Sequence, residues 1–299
     1  MKTERTVQYK LWEEAQRVVN VASVPQRSPF RYPGGKTWLI PRIRQWLSSY
    51  SKKPKLLVEP FAGGAIVGLT VAFENLADQV VLIELDEQVA AVWETIINIK
   101  GGARWLASRI INIDLTAESA SSILQSKPKS KKELAFKTII QNRVSHGGIL
   151  AQGAGLLKSG ENGKGILSRW YPETLKKRIL DIEQVKHRIE FVSGNAFDVI
   201  NEYLNDAETI FFVDPPYTAS KKQAGRRLYK YHELNHQTLF QIMGQVAGDF
   251  LMTYDDSEEV RSLAVENGFE VKPVDMTGTH NARRTELLVG RNLSWLREY

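Results

Sequence analysis

The sequence predicts an α/β protein built on a doubly wound, Rossmann-like sheet, with a mainly helical and loop-rich region inserted into it. Three observations carry this. Apolar runs of strand length alternate with amphipathic segments of helix length, the pattern of a largely parallel sheet with helices on both faces. Several of these runs end in a carboxylate or a glycine turn, and in open α/β sheets ligands bind beyond the carboxyl ends of the strands. Between residues 100 and 186 the strand pattern stops and gives way to helices and glycine-rich loops. The expected division is a sheet domain from residues 1–99 plus 187–299, with the insertion at 100–186.

The totals fit that division. A chain of 299 residues with 42% hydrophobic and 25% charged residues can bury a substantial core. It has no cysteine, which excludes disulfides and thiolate metal sites, and its five histidines lack HExxH-type spacing, so no metal is expected. Lys plus Arg number 40 against 34 Asp plus Glu, an excess that fits a polyanionic partner. No apolar run approaches the roughly 20 residues that span a bilayer, and the N-terminus has no signal-peptide core, so a cytoplasmic protein without a membrane partner is expected.

In chain order, residues 6–24 read as an amphipathic packing arm around Leu11, Trp12, Ala15, Val18 and Val19. Tyr32-Pro-Gly34-Gly35-Lys36-Thr37 then leads into a helix with Trp38, Leu39, Ile43, Trp46 and Leu47 on one face. Gly35-Lys36-Thr37 imitates the tail of a P-loop, but Phe30 stands where the first glycine is required, which disfavours a nucleotide triphosphatase. A glycine pair entering a helix start can still hold an adenosine-like ligand or a phosphate, and a plain turn accounts for the same residues.

Lys55 to Ala65 reads as strand, tight glycine turn and helix start, through Glu59-Pro60-Phe61-Ala62-Gly63-Gly64. Its spacing is not the G-x-G-x-x-G of dinucleotide binding. The following strand, Gln79 to Glu84, runs into Leu85 and Asp86, about 20 residues past the glycines, where a carboxylate is placed to accept ribose hydroxyls. Asp86 also suits a helix N-cap, and Glu84 is favoured for the ribose.

The insertion opens with three helical pieces (103–111, 117–125 and 131–141) and reaches Asn142-Arg143-Val-Ser-His146-Gly-Gly148. Seven glycines lie between Gly147 and Gly165, interleaved with Lys158 and Lys164, before Arg169-Trp170-Tyr171. Such loops suit phosphate and base contacts and also suit a bare surface loop. The sheet resumes at Arg188 to Ser193 and ends at Gly194-Asn195-Ala196-Phe197.

The strand Thr209 to Val213 carries the strongest signal. It is apolar throughout, as a strand buried on both faces must be, and stops at Asp214-Pro215-Pro216-Tyr217 because prolines cannot continue a ladder. The Asp214 carboxylate and the Pro215 carbonyl together offer acceptors to an exocyclic amino group, and the Tyr217 ring offers a face on which a flat base stacks. Lys221, Lys222, Arg226, Arg227 and Tyr229 follow, a cationic and aromatic mixture suited to a nucleic-acid backbone. Strands at 250–254, 268–273 and 286–289 complete the pattern, and 277–284 reads as a hairpin-like connection with His280, Arg283 and Arg284.

In order, these motifs resemble the Dam-like (D12 class) DNA adenine-N6 methyltransferases. The family's Trp-Ala-Gly-Gly-Lys block is similar to Tyr32-Pro-Gly-Gly-Lys36, its Glu-Pro-Phe-x-Gly turn to Glu59-Pro-Phe-Ala-Gly63, and its catalytic tetrad to Asp214-Pro-Pro-Tyr217. The resemblance implies a methyltransferase sheet, S-adenosyl-L-methionine as cofactor, double-stranded DNA as partner and transfer to adenine N6 after base flipping. It places the catalytic residues at Asp214, Pro215, Pro216 and Tyr217. Cofactor contacts fall on Tyr32, Gly34, Gly35, Lys36, Glu59, Phe61, Gly63, Glu84, Asp86, Asn195, Ala196, Phe197 and Asp214. DNA contacts fall on Asn142, Arg143 and the 221–229 cluster. Three departures stand out: Glu84-Leu-Asp86 replaces Asp-Ile-Asn, Asn195 replaces the aspartate of a Gly-Asp-Phe element, and only the start of the GATC-type Asn-Arg run is present. Cytosine N4 in DNA, adenine in RNA, and a DNA-binding protein that has lost catalysis are the rival readings; the aspartate at 214 favours adenine over cytosine.

Overall fold

A computed structural model of the chain describes residues 24–31, 35–150, 157, 163–216, 234–277 and 283–296. Its centre is a seven-stranded sheet in the order β3-β2-β1-β4-β5-β7-β6. The strands are β1 (Leu56–Glu59), β2 (Gln79–Glu84), β3 (Ile189–Ser193), β4 (Thr209–Val213), β5 (Phe250–Asp255), β6 (Glu270–Thr277) and β7 (Arg283–Gly290). The first five pair in parallel, while β7 lies antiparallel between β5 and β6. The chain winds outward in both directions from β1 and β4, so the crevice between those two is the topological switch point.

Alternate residues of each strand enter different cores, as the pleat requires. Leu57, Val80, Leu82, Phe212, Leu251 and Leu288 face one apolar cluster, and Val58, Val81, Ile83, Phe211, Val213 and Met252 face the other. The strands of the middle are apolar on both sides because helices cover both. On the first face lie α1 (Ile40–Ser48), reached through a 3₁₀ turn at Lys36–Leu39, and α2 (Ile66–Glu74). Next come α3 (Glu87–Trp93), continued by a π-helical turn at Glu94–Asn98, and the insertion helices α4 (Gly102–Asn112), α5 (Ala117–Gln125), α6 (Lys131–Val144) and α7 (Pro172–Val185).

The insertion shares its core with the sheet. Leu106, Ile139 and Ile182 are buried in the same cluster as Leu57 and Val80, so its helices form a buttress of the sheet. Their starts are capped as the residue types dictate: Thr116 and Ser119 form a capping box at α5, and the Ser130 hydroxyl accepts from Glu133 N at α6. The second face is covered by α8 (Ala196–Glu202), α9 (His236–Gln245) and α10 (Glu258–Glu266).

The segment 24–31 packs onto the first cluster through Val24 and Phe30, and Arg27 pairs with Glu74 at 3.0 Å. The rest of the expected arm, Tyr32 and Gly34, residues 217–233 with the expected Tyr217, Lys221, Lys222, Arg226, Arg227 and Tyr229, and most of the 277–284 connection lie outside the described residues. Among the described residues no helix is long and apolar enough to cross a membrane.

Candidate active site

The switch point opens into a cavity of about 770 Å³, within the range of small-molecule sites. The carboxyl ends of β1, β2 and β4 and the turn after β3 supply its walls: Glu59 to Gly64, Glu84 to Asp86, Asp214 to Pro216, and Asn195 with Ala196. Gly35, Lys36 and Thr37 line it as well. Five stretches of chain singled out in the sequence therefore meet at one place.

At the floor, Lys36 Nζ lies 3.0 Å from Asp214 Oδ1 and 3.4 Å from Glu286 Oε2. The lysine side chain is 3% exposed and that of Glu286 7%, while Asp214 keeps 23%. Burial alone pulls the Lys36 pKa down, but the two carboxylates outweigh it, and the result is raised above the ordinary lysine value. Lys36 is thus a fixed cation. Thr253 Oγ1 donates to Asp214 Oδ1 at 2.7 Å, so Oδ1 carries both bonds, and Oδ2 carries none among the described residues.

The sequence reading missed Glu286 and Thr253. Both follow from pairing: Val213 lies opposite Met252 and Asp255 opposite Glu286, which brings Thr253 and Glu286 to the rim beside Asp214. A glutamate heading the apolar run Leu287 to Val289 was the available signal.

The glycine turn after β1 is fixed from three sides. Gly63 N donates to Glu84 Oε2 at 2.9 Å, Trp93 Nε1 donates to Gly63 O at 2.9 Å, and Ala62 N donates to Ile83 O at 2.9 Å. Gly63 itself has φ +46°, the left-handed region that glycine enters without strain. Glu84 Oε1 also accepts from Asp86 N at 2.8 Å. Burial raises the Glu84 pKa to about 7, against the lowering effect of those N–H groups, with the Asp86 charge raising it further. Asp86 caps α3 by accepting from Gln88 N and Val89 N. Asp86 does the capping expected of it, and Glu84 stands at the cavity edge with each oxygen accepting one backbone N–H.

Glu59 is 3% exposed and accepts from Gly68 N at 2.8 Å. Burial pushes its pKa well above the carboxylate range, and the charge of Asp214 adds to this against the Gly68 N–H. Phe61 lines the cavity.

The structure places three of the expected contacts differently from the outer surface or cavity lining they suggested. Asn142 is fully buried: its amide donates to Arg31 O at 2.8 Å and Gly148 O at 2.7 Å, and its oxygen accepts from Arg31 N at 2.9 Å. It clamps Arg31 to the Gly148 turn. Arg143 is 5% exposed, donates to Pro29 O, and lines the cavity wall instead of an outer surface. Phe197 packs into the second core cluster, outside the cavity lining, while Asn195 caps α8 through Phe197 N at 3.0 Å. Arg31, Arg169 and Arg178 also line the cavity, and none was singled out as a site residue from the sequence. Among the described residues no three His, Asp or Glu side chains cluster as a metal site.

Residues 32–136 match the family model described as D12 class N6 adenine-specific DNA methyltransferase. The Type II methyltransferase M.MjaIII of Methanocaldococcus jannaschii is 23% identical over 231 residues, which cover 69% of this chain and 75% of that protein. Among solved structures, a putative RNA methyltransferase from Pyrococcus horikoshii is 11% identical with a TM-score of 0.38, covering 95% of this chain and 97% of that one. TrmK of M. capricolum in complex with S-adenosyl-homocysteine is 7% identical with a TM-score of 0.37, covering 85% of this chain and 68% of that one. The family that this chain resembles, by its ordered motifs and by the matched family model alike, is the D12 class of N6 adenine-specific DNA methyltransferases.

Proposed function

We propose that the protein is a site-specific DNA methyltransferase that modifies adenine N6 in double-stranded DNA after extruding the base. The observation that carries this reading is Asp214. Its carboxylate stands at the end of β4, at the switch-point cavity, held on one oxygen by Thr253 and Lys36 and followed by Pro215 and Pro216 in the cavity wall.

The residues present fit S-adenosylmethionine. The Gly63 turn lets a ligand approach the backbone, Glu84 at the end of β2 keeps lone pairs for ribose hydroxyls, and the carboxylates of Asp214 and Glu84 suit a cationic ligand. When bound, the sulfonium supplies an activated methyl group.

Adenine N6 is a poor nucleophile because its lone pair is delocalised into the purine. Asp214 Oδ2, with Oδ1 already occupied, accepts an N6–H and favours a more electron-rich, tetrahedral nitrogen at the moment of attack. Thr253 and Lys36 fix the carboxylate so that this acceptor costs no reorganisation. The Pro215 carbonyl takes the second N6–H and the Tyr217 ring stacks on the base. Extrusion costs a few kcal/mol of unstacking, which stacking and amine contacts offset.

The test is methyl transfer from labelled S-adenosylmethionine to an unmodified plasmid, with modified positions mapped by sequencing and Asp214→Ala alongside. N6-methyladenine in one short context, absent with Asp214→Ala, is the expected result. Near-normal turnover by Asp214→Ala would falsify the role given to this carboxylate; transfer to RNA but not to DNA would move the acceptor.

A further inference from the structure

One wall of the cavity is made of arginines. Arg31 comes from the packed N-terminal segment, Arg143 from the end of α6, Arg169 from the loop before α7, and Arg178 from α7. Like charges gathered this way oppose one another. Burial, then Arg178 and Arg31, push the Arg143 pKa down to about 9; burial, then Arg169, lowers that of Arg31, with Tyr171 acting the other way. Among the described residues no carboxylate pairs with Arg31, Arg143 or Arg178.

Their bonds go to backbone, and not all donors are used. Arg178 Nη1 donates to Ser28 O at 3.0 Å and Arg143 Nη2 to Pro29 O. Among the described residues Arg143 Nε and Arg31 Nη1 are buried with no hydrogen-bond partner. A buried guanidinium donor left open is costly, and several converging on one wall form the arrangement that a multidentate oxyanion satisfies. The first turn of α7 borders the same cavity through Tyr171 and Thr174; among the described residues no side chain caps its N–H groups, while Pro172 offers none and Glu173 places an acid there.

We propose that this arginine wall is a phosphate site that receives a phosphodiester of the nucleic-acid substrate, and that filling it tightens the adjoining cofactor pocket. The identity of the anion rests on the methyltransferase reading; the site itself rests on the arginines. The coupling follows from what they grip. Arg143, Arg178 and Asn142 hold the backbone of residues 28–31, and Phe30 in that stretch lies against Trp93 with ring centroids 5.6 Å apart. Trp93 in turn donates to Gly63 O. An anion that immobilises the guanidinia immobilises the segment backing the glycine turn.

The experiment is calorimetric titration of S-adenosylhomocysteine at constant ionic strength, in chloride, in inorganic phosphate and with a short unmodified duplex. Thermal unfolding in the two salts is recorded alongside. Arg31→Gln and Arg178→Gln are compared with wild type and with Lys177→Gln, whose side chain is exposed on the same helix. Phosphate should raise the midpoint and tighten the cofactor saturably, by about threefold or more, in wild type and Lys177→Gln. It should do neither in the two arginine variants, whose duplex affinity should fall roughly tenfold, the scale of one charge-assisted hydrogen bond.

Duplex that displaces phosphate assigns the site to a phosphodiester. A phosphate response that duplex leaves untouched overturns that assignment in favour of a free anion. No phosphate response, or an equal one in all four proteins, overturns the site. Because the thermal measurement needs no turnover, a protein that responds to phosphate yet fails to methylate DNA retires the acceptor reading and leaves the anion site standing.

Discussion

Lys36 Nζ lies 3.0 Å from Asp214 Oδ1, joining the glycine-lysine turn near the start of the chain to the proline-locked end of β4. Glu286 approaches the same ammonium at 3.4 Å, so one buried cation serves two carboxylates. Removing it takes a buried counter-ion from both, and breaking a buried pair from one side costs about 3 kcal/mol or more. Lys36→Met should therefore destabilise the protein by roughly that amount in denaturant unfolding. Adding Glu286→Gln should restore part of the loss, because one carboxylate charge fewer then faces the site without the ammonium. A double variant no more stable than Lys36→Met would show that Glu286 does not feel the lysine.

Glu84 ties the cofactor pocket to pH. Its pKa is raised from 4.5 to about 7, mainly by burial, so the folded protein holds a proton there that the unfolded chain has released. The stability this contributes is complete below the unfolded value and is lost as pH rises through the folded one. Cofactor binding should run the other way, since ribose hydroxyls donate and need the ionised carboxylate as acceptor. S-adenosylhomocysteine affinity should rise between pH 6 and 8 while the unliganded unfolding midpoint falls. Glu84→Gln should flatten both trends. A wild-type affinity independent of pH across that range would remove Glu84 from the ribose.

Gly68 lies inside α2, where alanine is ordinarily better by about 1 kcal/mol. Here a Cβ would sit 2.5 Å from Glu59 Oε2, 2.5 Å from Leu82 Cδ2 and 3.1 Å from Val80 Cγ1. Two of those neighbours belong to β2 and the third accepts from Gly68 N. Overpacking of about 1–3 kcal/mol should outweigh the helix preference, and Gly68→Ala should lower the denaturation midpoint. A stabilised variant would mean that Glu59 moves freely, against its place as a fixed wall residue.

What the sequence revealed and what it withheld have a common physical origin. Strand ends were readable where local chemistry forces them: β4 stops at Val213, ahead of the prolines, and Gly63 takes a left-handed turn after β1. Asp86 could be read both as ribose acceptor and as helix cap because either role needs only a carboxylate before a helix, and the structure shows the capping. The burial of Asn142 and Arg143 was hidden because their partners, Arg31 and Pro29, are more than a hundred residues away and no local pattern announces them. Glu286 was hidden for the same reason. Only the antiparallel register of β7 against β5 carries it to the rim where the parallel strands end.

Thr253 isolates the orientation of Asp214 from its charge. The threonine is fully buried on β5 and donates to Asp214 Oδ1 at 2.7 Å, while Lys36 supplies the electrostatic partner on the same oxygen. Thr253→Val keeps shape and β-branching and deletes one hydrogen bond to a charged acceptor, a loss of about 1.5–3 kcal/mol if it is felt in the transition state. Turnover should then fall roughly ten- to hundredfold, with S-adenosylhomocysteine and duplex affinities changed far less, because the hydroxyl aims the acceptor and touches neither ligand. Thr253→Ser, which restores the donor, should recover most of the rate. If Thr253→Val and Thr253→Ser were equally slow, packing at β5 would be responsible and the aimed carboxylate would not.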